Sequence, residues 1–373
     1  MQVMKSLFIS LMLLVPFLKS YASSLKDSTT VGLNSYNDTA DVQVYSPTFS
    51  LMKTLSKNFL IGVKLRVDTI AAASFKNGGS PAVVDVVTGA SPKEGTFEEV
   101  RYAPTLTMAY EDTNNALSGG VYYSTESDYE GRAFFINYTR QLNEQNTAIG
   151  IGISQSDDTW IPAFDRNLPR DDRKEGKIDM SINQLLSPTA SIQFIYSLMY
   201  SEGFLASPYN YVKQDTFAKF EKYPETRTAH AFAFKGIVML NDRNSINYSY
   251  RYYADDWDIS SHTVSTEWLS DFGSSVTSGL RLRYYSQSDA FFAKDVGAYG
   301  LDDQYFAVDY RMSAFDSYDI GIPFIYKPSI SSPYKVTASI DMYQTTENAY
   351  IKNWYDIDKI TAVYTTLSIE YDF

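Results

Sequence analysis

The sequence predicts an all-β protein, an antiparallel transmembrane β-barrel of about sixteen strands (14–18), and three observations predict it. Alternating segments of about 9–11 residues, the length a tilted membrane strand needs, recur through the chain. Tight turns rich in Asn, Asp, Gly and Pro alternate with connections of widely varying length. The N-terminus reads as an export signal, and no later run of eighteen or more apolar residues exists to form a spanning helix.

The elements follow in chain order. Residues 1–22 carry Lys5, an apolar stretch from Leu7 to Leu18 and a small-x-small site at Ser20-Tyr21-Ala22. They are expected to be a signal peptide cleaved after Ala22, leaving 23–373 as one barrel domain. Thr29–Tyr36 and 41–52 are the first two strands. In "FLIGVKLRV", Phe59, Ile61, Val63, Leu65 and Val67 share one face, while Gly62, Lys64 and Arg66 share the other. "SIQFIYSLMY", "SINYSYRYY" and "VTSGLRLRYY" repeat the pattern from residues 191, 245 and 276. Short turns fall at 56–58, 112–115, 143–146, 187–189, 241–243 and 271–273, so descending strands end near residues 112, 142, 186, 240 and 270. The segments 71–100, 156–176 and 202–226 read as long loops. Residues 305–326 read as one long bulged strand, and 334–344 with 361–373 as the last hairpin, which keeps the strand number even. Tyr122, Tyr123, Tyr200, Tyr252, Tyr253, Tyr284 and Tyr285 sit near strand ends, where an interfacial aromatic girdle would lie.

Composition narrows the function classes. A net charge of −12 and the lack of any Lys/Arg run argue against nucleic acid as a partner. The chain has no cysteine, which excludes a lipoprotein anchor, disulfides and thiolate metal sites. No cofactor is expected.

Four segments, "VVDVVTGASP" at 83–92, "YSEGFLASPYNYV" at 200–212, "YRYYADDWDISSHTV" at 250–264 and "YRMSAFDSY" at 310–318, resemble the domain of unknown function 3570, a family of predicted bacterial outer-membrane proteins. The resemblance runs over most of the mature chain. It implies β architecture and an envelope location, and it implies no catalytic or ligand residue.

Candidate chemistry then rests on the residues themselves. Arg66, Arg251, Arg281 and Arg283 fall opposite the apolar face, with Asp68, Glu111, Glu267 and Glu370 as acidic counterparts. A barrel of this size can hold an aqueous lumen, where such charges would orient small polar solutes or pair and brace the wall. Asp255, Asp256 and Asp258 lie just before His262, and Asp157-Asp158, Asp171-Asp172 and Asp302-Asp303 are similar acidic strand tops. They suit divalent cations bridging to lipopolysaccharide, although no fixed ligand spacing is present. Ser260, Ser261 and His262 supply the types for a rim hydrolase, but neighbours in a strand face opposite sides. "TGASPKEG" at 88–95 lies in a long loop able to cap or enter the lumen.

Finally, Ile369, Tyr371 and Phe373 share one face of the terminal strand. A terminal aromatic at that spacing resembles the signal read by the barrel-assembly machinery. The expectation is a non-enzymatic barrel in the outer membrane of a Gram-negative cell, porin-like, in contact with lipid and lipopolysaccharide. The rival reading is a plugged structural barrel whose loops bind an envelope partner.

Overall fold

A computed structural model describes residues 25–72, 97–161, 170–206, 211–214, 217–295, 297–300 and 302–373. The proposed signal peptide and the "TGASPKEG" loop lie outside the described residues.

The strands are β1 (Ser28–Asp38), β2 (Val42–Ser56), β3 (Phe59–Ala72), β4 (Phe97–Glu111), β5 (Asn115–Thr125), β6 (Tyr129–Leu142), β7 (Thr147–Trp160), β8 (Asp171–Ser187) and β9 (Ala190–Gly203). They continue with β10 (Tyr211–Gln214), β11 (Phe217–Phe220), β12 (Thr226–Asn241), β13 (Asn244–Asp255), β14 (Ser260–Phe272), β15 (Val276–Gln287), β16 (Phe315–Tyr326), β17 (Tyr334–Thr345) and β18 (Thr361–Asp372). A short helix α1 (Ala349–Tyr355) joins the last two. All strands except β10 and β11, which form a separate two-stranded sheet, close into one antiparallel barrel of sixteen. The barrel shuts where β1 pairs with β18, from Ser28 opposite Asp372 to Asp38 opposite Ala362.

The alternation is physical. Phe49, Val63, Leu65, Ile136, Ile182, Val264, Leu282, Ile320, Ile340 and Leu367 all stand exposed on the outer wall. In water such a surface would be a severe liability; it matches the lipid-facing band of a membrane barrel. Pro47, Pro104 and Pro323 sit inside strands, and the ladder lapses at each because proline has no N–H to donate.

The tight turns gather on one rim and use local side-chain bonds. Asp112 accepts from the backbone N–H of Asn114 at 2.9 Å and of Asn115 at 2.8 Å. Asn241 does the same for Arg243 and Asn244, both at 3.0 Å. Bulges fall between Thr54 and Ser56, Leu185 and Ser187, and Met239 and Asn241, each just before or beside such a turn.

Two sequence expectations need correction. The strand expected over 305–326 begins only at Phe315, and Tyr310–Met312 forms a 3-10 turn. Phe306, Ala307 and Met312 are all buried, so this stretch lacks the one-in, one-out alternation of a strand. The girdle is also thinner than expected. Tyr123, Tyr200 and Tyr284 are exposed on the outer wall, and Tyr252 follows Tyr250 onto that face. Tyr122, Tyr253 and Tyr285 occupy the alternate positions and face inward, because successive side chains in a strand point to opposite sides.

Candidate functional site: the lumen wall and its cap

The inward faces bring distant charges into rows. In one row Asn247, Glu267, Arg281, Gly321 and Asp341 stand side by side on β13 to β17. Asn247 donates to Glu267 at 3.1 Å, and Arg281 donates to Glu267 at 2.8 Å and to Asp341 at 3.0 Å. Arg281 reaches across a whole strand because residue 321 is glycine. A Cβ there would stand 1.8 Å from the Asp341 Oδ1.

The other predicted residues are placed as follows. Asp68, fully buried, accepts from Arg66 Nε and Arg101 Nε, both at 2.6 Å. Arg283 pairs with Asp319 at 2.6 Å and lies 5.4 Å from the Tyr285 ring centroid. Glu370 is 3.5 Å from Lys335. Glu111 ends β4 beside the tight-turn rim, away from the arginine rows. Arg251 has an aromatic neighbour instead of an acid, its guanidinium 5.3 Å from the Tyr253 centroid. The carboxylates that engage Arg66, Arg281 and Arg283 come from the same or nearby strands, so these pairs run along the wall. Phe373 stacks on Tyr371 at 6.0 Å, with Lys53 Nζ 5.5 Å from its centroid, and Ile369, Tyr371 and Phe373 are all exposed outward.

The opposite rim carries a folded cap that no single segment announces. Residues from the β9–β12, β13–β14 and β15–β16 connections share one hydrophobic core: Ala206, Tyr223, Trp257, Ile259, Phe292 and Met312 are among its members. Trp257, only 2% exposed, packs edge-on against Tyr223 at 5.6 Å and Phe292 at 5.3 Å. Its indole donates to the Thr226 carbonyl at 2.9 Å, and the Arg227 guanidinium covers its ring at 4.4 Å. Asp255 accepts from the N–H groups of Trp257 and Ile259 at 2.9 and 3.1 Å while also pairing with Arg227. The acidic stretch "ADDWDISSH" therefore seats a tryptophan.

His262 lies on the outer wall, its Nδ1 2.8 Å from the Tyr250 hydroxyl, whereas Ser261 is buried on the inner side. Two of the other acidic tops hold a paired carboxylate. Asp158 pairs with Arg173, and Asp303 pairs with Lys294 at 2.6 Å and caps Gly300 N–H at 2.7 Å. Among the described residues no group of three or more His, Asp or Glu is arranged to hold a metal.

A latch ties the cap together. Glu221, 1% exposed, accepts from the N–H groups of Val308 at 2.6 Å and Asp309 at 2.8 Å. Lys222 and Phe306 exchange backbone bonds of 3.0 and 2.9 Å. Asn348 caps α1 by accepting from Tyr350 and Ile351, and its amide donates to Ser313 Oγ at 2.8 Å. Burial, then the neighbouring Asp309, pushes the Glu221 carboxyl up to about 7. Burial raises Asp309 as well, while Arg311 holds two bonds of 2.8 Å on it. The pair therefore holds a proton more readily than an isolated carboxylate does.

The closed cap binds more protons than an opened one between the ordinary carboxylate range and about pH 7. Cap closure is therefore expected to weaken as pH rises through that window. Limited proteolysis within 288–314 should be slower near about pH 5 than near about pH 8. Glu221→Gln should flatten the dependence, and an unchanged profile in that variant would refute the assignment.

A closed sixteen-strand barrel with an apolar outer wall, a polar inner wall and one looped rim defines the outer-membrane β-barrel class. The chain belongs to the family described as protein of unknown function (DUF3570), which it matches over residues 12–171 and 162–370. No curated protein matches it. Among solved structures it resembles a bacterial polysaccharide outer membrane secretin, with TM-score 0.53 and 8% identity over 94% of this chain and all of that one. A ferric enterobactin receptor (PfeA) variant from Pseudomonas aeruginosa gives TM-score 0.48 and 10% identity, covering 88% of this chain and 55% of that chain. The chain thus spans about half the length of the receptors it matches. The Pseudomonas putida toluene transporter TodX gives TM-score 0.42 and 9% identity, with 93% and 90% covered. At these identities the likeness is one of fold.

Proposed function

We propose that this chain is a channel for small hydrophilic solutes in the outer membrane of a Gram-negative cell, partly closed at its long-loop rim by the cap. The observation that supports it best is the inner wall. Closed barrels of sixteen strands are wide enough to leave an aqueous channel, and this wall presents rows of ions and hydroxyls such as Glu267, Arg281 and Asp341. A barrel meant only as a packed anchor would fill that space with apolar side chains. Reconstitution of the mature chain in planar bilayers should give discrete conductance steps. Membranes that stay closed at high protein load would refute the channel.

A second reading draws on the cap, whose separate hydrophobic core is more than a pore rim requires. In that reading the cap docks an envelope partner, and crosslinking in cells should recover one specific protein. Recovery of abundant barrels alone would count against it. Insertion by the barrel-assembly machinery through Phe373, Tyr371 and Ile369 belongs to either reading, as does contact with lipid and lipopolysaccharide.

A further inference from the structure

Most inward cations of the described wall are matched to carboxylates: Arg66, Arg101, Arg173, Lys177, Arg227, Arg281, Arg283 and Lys335 all form ion pairs. Lys235 on β12 and Arg251 on β13 depart from this. Both are half-buried and inward, and among the described residues neither makes an ion pair or a hydrogen bond. The two are neighbours. Lys235 stands opposite Ser249, and Arg251 lies two residues further along the same strand, opposite Ala233. Such diagonal positions are about 7–8 Å apart, close enough for two long side chains to converge on one small anion.

Their surroundings supply hydrogen-bond donors and withhold acids. Ser249 Oγ and Ser265 Oγ are 2.6 Å apart, so one of their two protons remains free to donate. Ser265 in turn stands opposite Arg283, and Thr263 stands opposite Arg251. The carboxylates that face this patch are already taken: Glu267 by Arg281 at 2.8 Å and by Asn247, Asp179 by Lys177 at 2.9 Å and by Ser197, and Asp319 by Arg283. Gln193, opposite Lys235 on β9, is neutral. Among the described residues neither Lys235 nor Arg251 is paired with a carboxylate, and a bound oxyanion would supply the missing partner.

We propose that Lys235 and Arg251, with the Ser249–Ser265 hydroxyl pair, form an oxyanion-binding station on the lumen wall, taking small phosphate or carboxylate solutes. The station deepens the channel reading and depends on a lumen that solutes can enter, so it is tested by binding separately from conductance. Inorganic phosphate, and in parallel acetate, is titrated calorimetrically into the full-length mature barrel folded in detergent, with heat-modifiable migration as the check on folding. Wild type should bind phosphate saturably, and Lys235→Gln/Arg251→Gln should bind at least about tenfold more weakly, the loss of a single charge-assisted bond being enough for that factor. Acetate binding lost in the same variant would extend the site to carboxylates, and phosphate binding alone would confine it to phosphates. A control lacking two exposed cations, Lys26→Gln/Lys352→Gln, should bind as wild type does, since these side chains are 64% and 69% exposed and lie outside the lumen. If the double lumen variant fails to fold, each single variant carries the same test. No phosphate binding by wild type, or equal binding by wild type and lumen variants, overturns the station. A conducting barrel that binds nothing leaves the channel and removes the station; a closed barrel that still binds phosphate through Lys235 and Arg251 does the reverse.

Discussion

Asp68→Ala is expected to lower barrel stability by about 3–5 kcal/mol, the penalty for removing one partner from a buried ionic group. The side chain is fully buried and two guanidinium groups depend on it: Arg66 and Arg101 each donate an Nε–H at 2.6 Å. Arg66 keeps a bond to Ser46 at 3.2 Å, and Arg101 keeps Glu126 at 3.7 Å. Neither replaces a shared carboxylate, so two positive charges would be left facing each other. Asp68→Asn preserves volume but loses the charge, and it should fall between wild type and the alanine variant. The measurement is the urea midpoint of barrels folded into lipid vesicles, followed by heat-modifiable migration. Equal midpoints for Asp68→Ala and wild type would show that water reaches Asp68 and screens the cluster.

Trp257→Ala should act on the other end of the molecule and leave the barrel intact. Truncating a buried tryptophan costs about 3–5 kcal/mol where the site cannot collapse. Here the loss falls on the cap, since Trp257 contacts Tyr223, Phe292 and Arg227. A loop core of this size has little stability in reserve, so the cap should open. Single-channel conductance should rise, cleavage within 288–314 should quicken, and heat-modifiable migration should stay as it was. Conductance and protection both unchanged would mean that the cap is held from the barrel wall, not by its own core.

The barrel was legible because every strand repeats the same instruction. In β3 the exposed Val63 and Leu65 alternate with Lys64 and Arg66, and the Asp and Asn residues that end strands are the ones that bond their own turns. The cap was not legible, because Tyr223, Trp257 and Phe292 come from three separate connections and follow no period. Tyr122, Tyr253 and Tyr285 were assigned to the girdle but face inward, because runs such as Tyr252-Tyr253 place one ring on each face. The candidate lumen arginines could be located by parity, but their partners could not. Arg281 meets Asp341 sixty positions away only because the register stacks β15, β16 and β17 with a glycine between them. Lys235 escaped notice for the same reason: its lack of a partner becomes visible only when its neighbours across two strands are known.

The β1–β18 seam has a kinetic consequence. It joins side chains such as Ser35 and Thr365, 330 positions apart and 2.7 Å from one another. Every other pairing in the barrel joins strands closer in sequence, whereas this one brings together its first and last strands. The search for it carries the largest loop-closure entropy in the chain, so closure should be the slow, late step of folding. Until then two strand edges remain open, with backbone groups that hydrocarbon cannot satisfy. Such a chain has no stable halfway state in a bilayer: it is sealed as a whole or it is exposed along its full height, prone to pair with whatever strand arrives first.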